Sequence, residues 1–188
     1  MNREEALNLL REYTKNENLI KHALAVEAGM KAYARKFGED EEKWGIAGLL
    51  HDMDWEQNPE LEKHTLVTEQ ILREKCYPEE IITAIKAHSD SHNIERKTPM
   101  DKALYAVDEL TGLIIAVALV RPTKSIYDVE LKSIKKKWKD KLFAKGADRE
   151  VIEKGAKELG IELDEHIKIV LETMKNIAKD LELEGNKN

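Results

Sequence analysis

The chain is 188 residues long, with 41% apolar residues, 36% charged residues and a net charge of −6 at pH 7. This length suits one domain that buries its own core, and the negative charge argues against a nucleic-acid duplex as partner. Cys76 stands alone, which excludes an intramolecular disulfide. The longest apolar run, residues 113–120, is too short to span a membrane, and the acidic start does not resemble a signal peptide. We therefore expect a cytoplasmic protein with no membrane partner.

Hydrophobic spacing predicts helices along the whole chain. In the second of them, Leu19, Ala23 and Val26 recur three or four positions apart, and Gly38 marks the end. Prolines at first-turn positions open three of the later helices. The predicted helices cover about residues 2–13, 18–37, 40–51, 58–75, 78–88, 99–120, 128–140, 148–159 and 163–182. The fold class is therefore all-α in a single domain.

Six ionisable residues fall on the apolar faces or at the ends of these helices. His22 lies three residues after Leu19 on an apolar stripe, and Asp108 lies within the most apolar helix. Any one of them alone is more often a satisfied core residue or, for an aspartate, a solvated one. A buried imidazole beside a carboxylate is costly unless a partner or a metal cation compensates it, and these groups suit Zn, Fe, Mn, Co or Ni. The candidate metal ligands are His22, His51, Asp52, His64, His88 and Asp108.

The order His22, then the His51-Asp52 pair, then Asp108 resembles that of the HD superfamily of metal-dependent phosphohydrolases, whose fold is a helical bundle around a metal site. The two other candidate histidines match the version of this site that holds two metals. The segments that are similar to a branch of predicted hydrolases are 106–112, 118–122, 133–137 and 163–167. The resemblance implies one HD domain over residues 1–188, with a core of about 15–122 and a C-terminal helical extension of about 123–182.

The resemblance also implies a ligand set, in which Asp52 bridges two divalent cations. One cation would be bound by His22, His51 and Asp108, and the other by His64 and His88. Two cations about 3.5–4 Å apart lower the pKa of a shared water and stabilise a transferring phosphoryl group. A single metal, held by the ligands of the first cation together with Asp52, remains an open alternative.

Further candidates surround these ligands. Asp54 and Glu56 are candidate catalytic residues beside Asp52, because they would orient the water or accept its proton; alternatively, they cap the loop before the next helix. The segment 132–145 has seven lysines and one acid, so it either attracts a phosphate or forms a solvated helix. The candidate substrate-binding residues are Arg121, Lys137 and His92.

Three functions are consistent with this sequence. The leading hypothesis is a metal-dependent phosphohydrolase that acts on a small phosphorylated metabolite or nucleotide by metal-activated water. The alternatives are a di-iron oxygenase, because the ligands also resemble the inositol oxygenase branch, and a metal- or nucleotide-binding module without turnover. Trp55 stands where members that cleave cyclic dinucleotides often carry lysine, so we do not expect that substrate class. His166 has no place in the ligand pattern and is expected in the core or beside the site.

Overall fold

The computed structural model describes residues 2–185, so Met1 and residues 186–188 of the predicted domain lie outside the described part. Between residues 2 and 185 the chain forms nine α-helices and two short 3₁₀ turns, with no strand beyond one isolated bridge. The helices are α1 (Arg3–Tyr13), α2 (Glu17–Phe37), α3 (Glu41–Leu50), α4 (Leu66–Glu74), α5 (Glu79–Ala87), α6 (Pro99–Leu119), α7 (Leu131–Trp138), α8 (Arg149–Glu158) and α9 (Leu163–Asn176). The predicted all-α fold is confirmed, although α7 and α9 are shorter than predicted.

Local signals in the sequence set the ends of the two longest helices. Before α6, Thr98 and Asp101 form a capping box, and Pro99 occupies the first turn. Gly38 ends α2 in the left-handed conformation with φ of 71°. Because these caps are readable in the sequence, α2 and α6 begin and end close to their predicted limits.

One hydrophobic core takes residues from all nine helices. α6 is buried along most of its length and packs against α2, α5, α8 and α9. Two glycines allow close approach: a Cβ on Gly48 would lie 3.0 Å from the backbone nitrogen of Glu27 in α2, and one on Gly155 would lie 2.5 Å from Cα of Ala106 in α6. No helix within residues 2–185 has both the length and the apolar character needed to cross a membrane. The division into a core and a C-terminal extension stays a prediction.

The segment between α3 and α4 differs from its prediction. We predicted that the fourth helix starts at residue 58, but residues 51–65 are mostly turns, and α4 begins only after them. The physical reason is Asp54, whose carboxylate accepts N–H groups at the start of α4, including that of Thr65. His64 therefore lies in the turn before the helix and not on its apolar stripe, yet its side chain is buried.

Candidate metal centre

The six predicted metal ligands come together in one cluster, although four helices and a turn segment contribute them. His51 and His88 each directly follow the last residue of a helix, α3 and α5 respectively. His22 projects from α2 and Asp108 from α6. Because His51 and His88 lie at helix ends, their imidazoles project out of the helices and toward the space between them.

His51 and His88 are oriented in the same way, through their Nδ1 atoms. Nδ1 of His51 lies 2.8 Å from the carbonyl of Gly48, and Nδ1 of His88 lies 2.5 Å from the carbonyl of Ile85. Because a carbonyl only accepts, Nδ1 carries the proton in both rings. In the neutral form of each ring, Nε2 then carries the lone pair, and it faces the cluster.

The other two histidines also turn Nε2 inward. Nδ1 of His64 lies 3.2 Å from the carboxylate of Asp54, which in its ionised form can only accept. Nδ1 of His22 lies 3.2 Å from the hydroxyl of Thr111, whose own proton is donated to the carbonyl of Asp108 at 2.8 Å. The hydroxyl of Thr111 is therefore left to accept from His22. All four imidazoles thus have a partner of the kind that orients metal ligands in proteins.

Asp52 divides its carboxylate between two groups of histidines. Oδ1 lies 3.2 Å from Nε2 of His64 and 3.4 Å from Nε2 of His88. Oδ2 lies 3.5 Å from Nε2 of His51 and 3.8 Å from Nε2 of His22. Each oxygen therefore faces its own pair of imidazole nitrogens. This arrangement would allow the carboxylate to contact two neighbouring metal positions.

Asp108 balances the charge of the cluster together with Asp52. Its Oδ1 lies 2.9 Å from Nε2 of His22 and 3.3 Å from Nε2 of His51. Burial by itself would raise the pKa of both carboxyls, but the surrounding imidazoles, His51 foremost, hold each pKa well below its usual range. Burial likewise disfavours a charged ring, yet the two carboxylates raise the pKa of His51 to about 9. Positive charge is therefore strongly favoured at the centre of this cluster.

These residues fit a divalent metal. Nε2 of His51 is fully buried and makes no hydrogen bond of good geometry to any described residue, although Asp108 is 3.3 Å away. In the neutral ring this nitrogen carries a lone pair, which carboxylates cannot satisfy because they only accept. Its burial is therefore costly unless a cation accepts the lone pair. Two groups of three have ligand atoms within 4.8 Å of one another: His22, His51 and Asp108, and His51, Asp52 and His88. Imidazole nitrogens combined with carboxylate oxygens suit transition metals.

Two residues that we predicted in other roles support the turn that carries His64. Asp54 is buried, and its oxygens accept from Nδ1 of His64 and from the N–H groups of Thr65 and Thr68. Although burial opposes it, these donors, His64 first among them, lower the pKa of Asp54. His92 donates from Nε2 to the carbonyl of His64 at 2.7 Å. Both residues therefore fix the backbone or the ring of His64.

A cavity of about 800 Å³ opens beside the cluster. Five of the six ligands line it: His22, Asp52, His64, His88 and Asp108. The turn segment adds Trp55, whose ring packs edge-on against His64 with the centroids 4.8 Å apart. α6 adds Tyr105 and Glu109, and the loop before α8 adds a second wall at residues 144–147. The volume is that of a small-molecule site.

The remaining predicted site residues have contacts elsewhere. Glu56 is exposed and accepts two backbone N–H groups just before α2. Nζ of Lys137 lies 4.6 Å from the ring centre of Phe143. Neither of them, nor Arg121 or His92, belongs to the described lining of the cavity. Their direct contact with a substrate stays a prediction.

Sequence reasoning missed part of the cavity wall. Tyr105 is three residues before Asp108 and Glu109 directly follows it, so helical spacing from a predicted ligand could have indicated Tyr105. Burial, together with the neighbouring charge of Asp108, raises the pKa of Glu109 to about 8. The wall at residues 144–147 is distant in sequence from every ligand, and no local pattern predicts it.

The fold and the site together define an all-helical domain with a histidine and aspartate cluster that could hold a metal. The family model described as HD domain matches residues 19–118, slightly more than half of the chain and a range that includes all six ligands. The chain belongs to the HD domain family, which binds divalent metals and consists generally of metal-dependent phosphohydrolases. The predicted family membership is thereby confirmed.

Two curated proteins match about half of the chain. Ribonuclease Y from two strains of Nitratidesulfovibrio vulgaris, DP4 and Hildenborough, is 32% identical to this chain over 98 residues. This alignment covers 52% of the chain and 18% of ribonuclease Y. No solved structure matches the chain.

Proposed function

We propose that the chain is a metal-dependent phosphohydrolase that acts on a small phosphorylated metabolite or nucleotide. The observation that carries this proposal is the carboxylate of Asp52, whose two oxygens face separate pairs of histidines beside an open cavity. Two divalent cations, from among Fe, Mn, Zn, Co and Ni, would be held by His22, His51 and Asp108 on one side and by His64 and His88 on the other. When bound, they supply Lewis-acid activation of a water and charge stabilisation for the phosphoryl group.

The residues of the chain contribute orientation and enclosure. Asp54 and Thr111 fix the rings of His64 and His22, so that their Nε2 atoms face the centre before any cation arrives. Because both oxygens of Asp54 already accept hydrogen bonds, we assign it to positioning His64 and not to proton transfer. Trp55 shields the ring of His64 on the cavity side.

The volume of the cavity and the net charge of the chain support a small substrate. Ribonuclease Y is named for cleavage of RNA, but the aligned region is less than a fifth of that protein. The cavity of about 800 Å³ is suited to one small molecule. A net charge of −6 does not favour attraction of a polyanionic nucleic acid to the surface as a whole.

Phosphate release by the metal-loaded protein tests this proposal. The chain is purified, reconstituted separately with Mn, Fe, Co, Ni, Zn and Mg, and offered a broad panel of phosphate mono- and diesters. We expect turnover by the natural sequence, loss of turnover in Asp52→Ala, and retention in Asp164→Ala, which removes a half-buried aspartate paired with Lys135 away from the cavity. Circular dichroism verifies that both variants fold. Absence of cleavage with every metal, or full activity of Asp52→Ala, would contradict the proposal.

The same arrangement of Asp52 also suits a di-iron oxygenase, which is the second candidate. Oxygen consumption that depends on iron and on a polyol or phosphonate would favour it. Phosphate release at an equal rate under strictly anaerobic conditions would exclude it. Tight nucleotide binding without turnover, in protein shown to be metal-loaded, would instead indicate a binding module.

A further inference from the structure

The cavity beside the metal centre lacks basic side chains. Among the described residues that line it there is no lysine and no arginine. Its polar side chains other than the ligands are Ser89, Asp90, Ser91, Tyr105 and Glu109, and the rest of the lining is apolar or glycine. Carboxylates and hydroxyls therefore surround whatever part of a ligand extends away from the metal centre.

The cations behind one wall are already paired. The guanidinium of Arg96 lies 3.6 Å from the ring centre of Tyr105 and contacts Glu158 at 2.8 Å and Asp90 at 2.9 Å. The side chain of Arg96 is only 7% exposed. Lys154 lies 3.1 Å from the same carboxylate of Asp90. These two cations hold Asp90 and Tyr105 in place, and neither belongs to the cavity lining.

The opposite wall is neutral and lies outside the region matched by the family model. Arg149 donates to the backbone carbonyls of Phe143, Ala144 and Ala147, which closes the loop against the cavity. The guanidinium of Arg149 is thereby used within the loop. Lys145 is exposed and is not part of the lining, and Val151 of α8 completes this wall with an apolar side chain.

The carboxyl group of Glu109 lines the cavity close to the metal centre. Glu109 directly follows Asp108 in α6, and its carboxylate accepts the N–H of Asp148 at 3.2 Å. The negative groups acting on it are Asp108, Asp148 and Asp52. A second anionic group of a ligand would therefore meet acceptor oxygens and no lysine or arginine of the described lining, whereas a hydroxyl or an ammonium would find acceptors.

We propose that the site selects a compound with a single phosphoryl group whose remaining part is uncharged or cationic. This rests on the proposed function, in which the metal centre holds the phosphoryl group. Compounds with a second anionic group, such as carboxylated phosphate esters and polyphosphate chains, are disfavoured. The selection comes from the absence of lysine and arginine in the described lining, from the acceptor oxygens of Asp90, Tyr105 and Glu109, and from a neutral wall. This wall consists of Ala144, Gly146, Ala147 and Val151.

Binding of three phosphonates of similar size tests the inference, because they are not hydrolysed. Propylphosphonate is neutral beyond the phosphonate, 3-aminopropylphosphonate is cationic and 3-phosphonopropionate is anionic. Calorimetric titration of the metal-loaded full chain should give affinities for the first two that exceed the third by about tenfold or more. Equal or tighter binding of 3-phosphonopropionate overturns the inference but leaves the proposed function standing. Binding of none of the three overturns both.

A charge inserted in the neutral wall gives a second, independent readout. Val151→Lys places an ammonium in the cavity, and Val151→Met is the matched control of similar length without charge. We expect Val151→Lys to reduce the ratio of the affinities for propylphosphonate and 3-phosphonopropionate at least about threefold. Val151→Met should keep the ratio of the natural sequence. An unchanged preference in Val151→Lys would contradict the assignment of this wall.

Discussion

The carboxylate of Asp54 lies 3.2 Å from Nδ1 of His64 and fixes which nitrogen of that ring faces the metal centre. The same carboxylate accepts N–H groups of Thr65 and Thr68, so it also sets the residue at which α4 begins. One buried side chain therefore couples the start of a helix to the direction of a candidate metal ligand.

Asp54→Asn tests both roles, because metal affinity and stability are measured separately. An amide accepts with one oxygen only, so its NH₂ group would face a second donor, either His64 or a backbone N–H. We expect metal affinity to fall about 10–100-fold and stability to fall by about 1–2 kcal/mol. Competition titration with Zn and urea unfolding measure the two effects. Glu56→Gln, which alters an exposed carboxylate away from the cavity, serves as the control; an Asp54→Asn protein with unchanged affinity would refute the positioning role.

Thr111 makes the corresponding contact for His22. Thr111→Val keeps the volume but removes the hydroxyl that accepts from Nδ1, so the ring loses the partner that orients it. We expect metal affinity to fall about tenfold with a stability change of about 1 kcal/mol. Thr111→Ser retains the hydroxyl and should bind metal nearly as well as the natural sequence. Equal affinities for the valine and serine variants would show that the contact has no role in binding.

Gly48 is expected to tolerate no side chain, because α3 approaches α2 there. A Cβ would lie 3.0 Å from backbone atoms of Glu27 and 2.9 Å from Cγ of Met30. Gly48→Ala should therefore destabilise the protein by about 1–3 kcal/mol. Gly112→Ala is the matched control, since nothing lies within 4 Å of its added Cβ, and a helical alanine there should stabilise by up to about 1 kcal/mol. Urea unfolding that ranks the two variants in the opposite order would contradict this packing.

The burial of His166 should make the stability of the protein depend on pH, separately from the metal centre. Burial lowers the pKa of His166 from 6.5 to about 4, and a hydrogen bond to the carbonyl of Ala106 offsets this only in part. Because that carbonyl can only accept, Nε2 is the protonated nitrogen, and the hydroxyl of Tyr33 donates to Nδ1. The expectation that this histidine lies in the core agrees with its position, since its side chain is fully buried.

The unfolded chain binds the proton of His166 at a higher pH than the folded chain does, so this contribution to stability is complete above pH 6.5 and is lost as the pH falls toward 4. The loss corresponds to about 3 kcal/mol. Urea unfolding of the natural sequence and of His166→Gln between pH 7 and 4 isolates the contribution of His166, because other groups titrate in both proteins. We expect the difference between their free energies of unfolding to narrow as the pH falls. Parallel curves would mean that His166 does not titrate in this way.

The sequence predicts well which side chains come together at the candidate metal centre, because helical periodicity identifies the inward faces of helices. His22 and Asp108 lie on the stripes that α2 and α6 turn toward the centre. The predicted helix over residues 58–75 includes His64, which is wrong, because hydrogen bonds to Asp54 across the turn override the local pattern and α4 starts at Leu66. The second cavity wall could not be predicted, since it depends on the close contact of α8 with α6 at Gly155, far along the chain from every ligand.

The lysine-rich segment was predicted as either an anion-binding surface or a solvated helix. Lys135 pairs with Asp164 at 2.9 Å, and Lys132 pairs with Glu130 at 2.6 Å. The first of these pairs depends on how α7 and α9 come together, which the sequence of the segment alone does not reveal. The contacts that these two lysines make are those of a solvated helix.

Metal content per chain tests most directly whether Asp52 contributes to two cation sites. Protein is purified anaerobically without chelator, and elemental analysis gives the equivalents of each transition metal. We expect about two equivalents in the natural sequence and a marked loss in Asp52→Ala protein that remains folded. One equivalent would contradict the two-sided role of Asp52 and restrict binding to a single site. No bound metal, even after reconstitution with Mn, Fe and Zn, would contradict the metal centre itself.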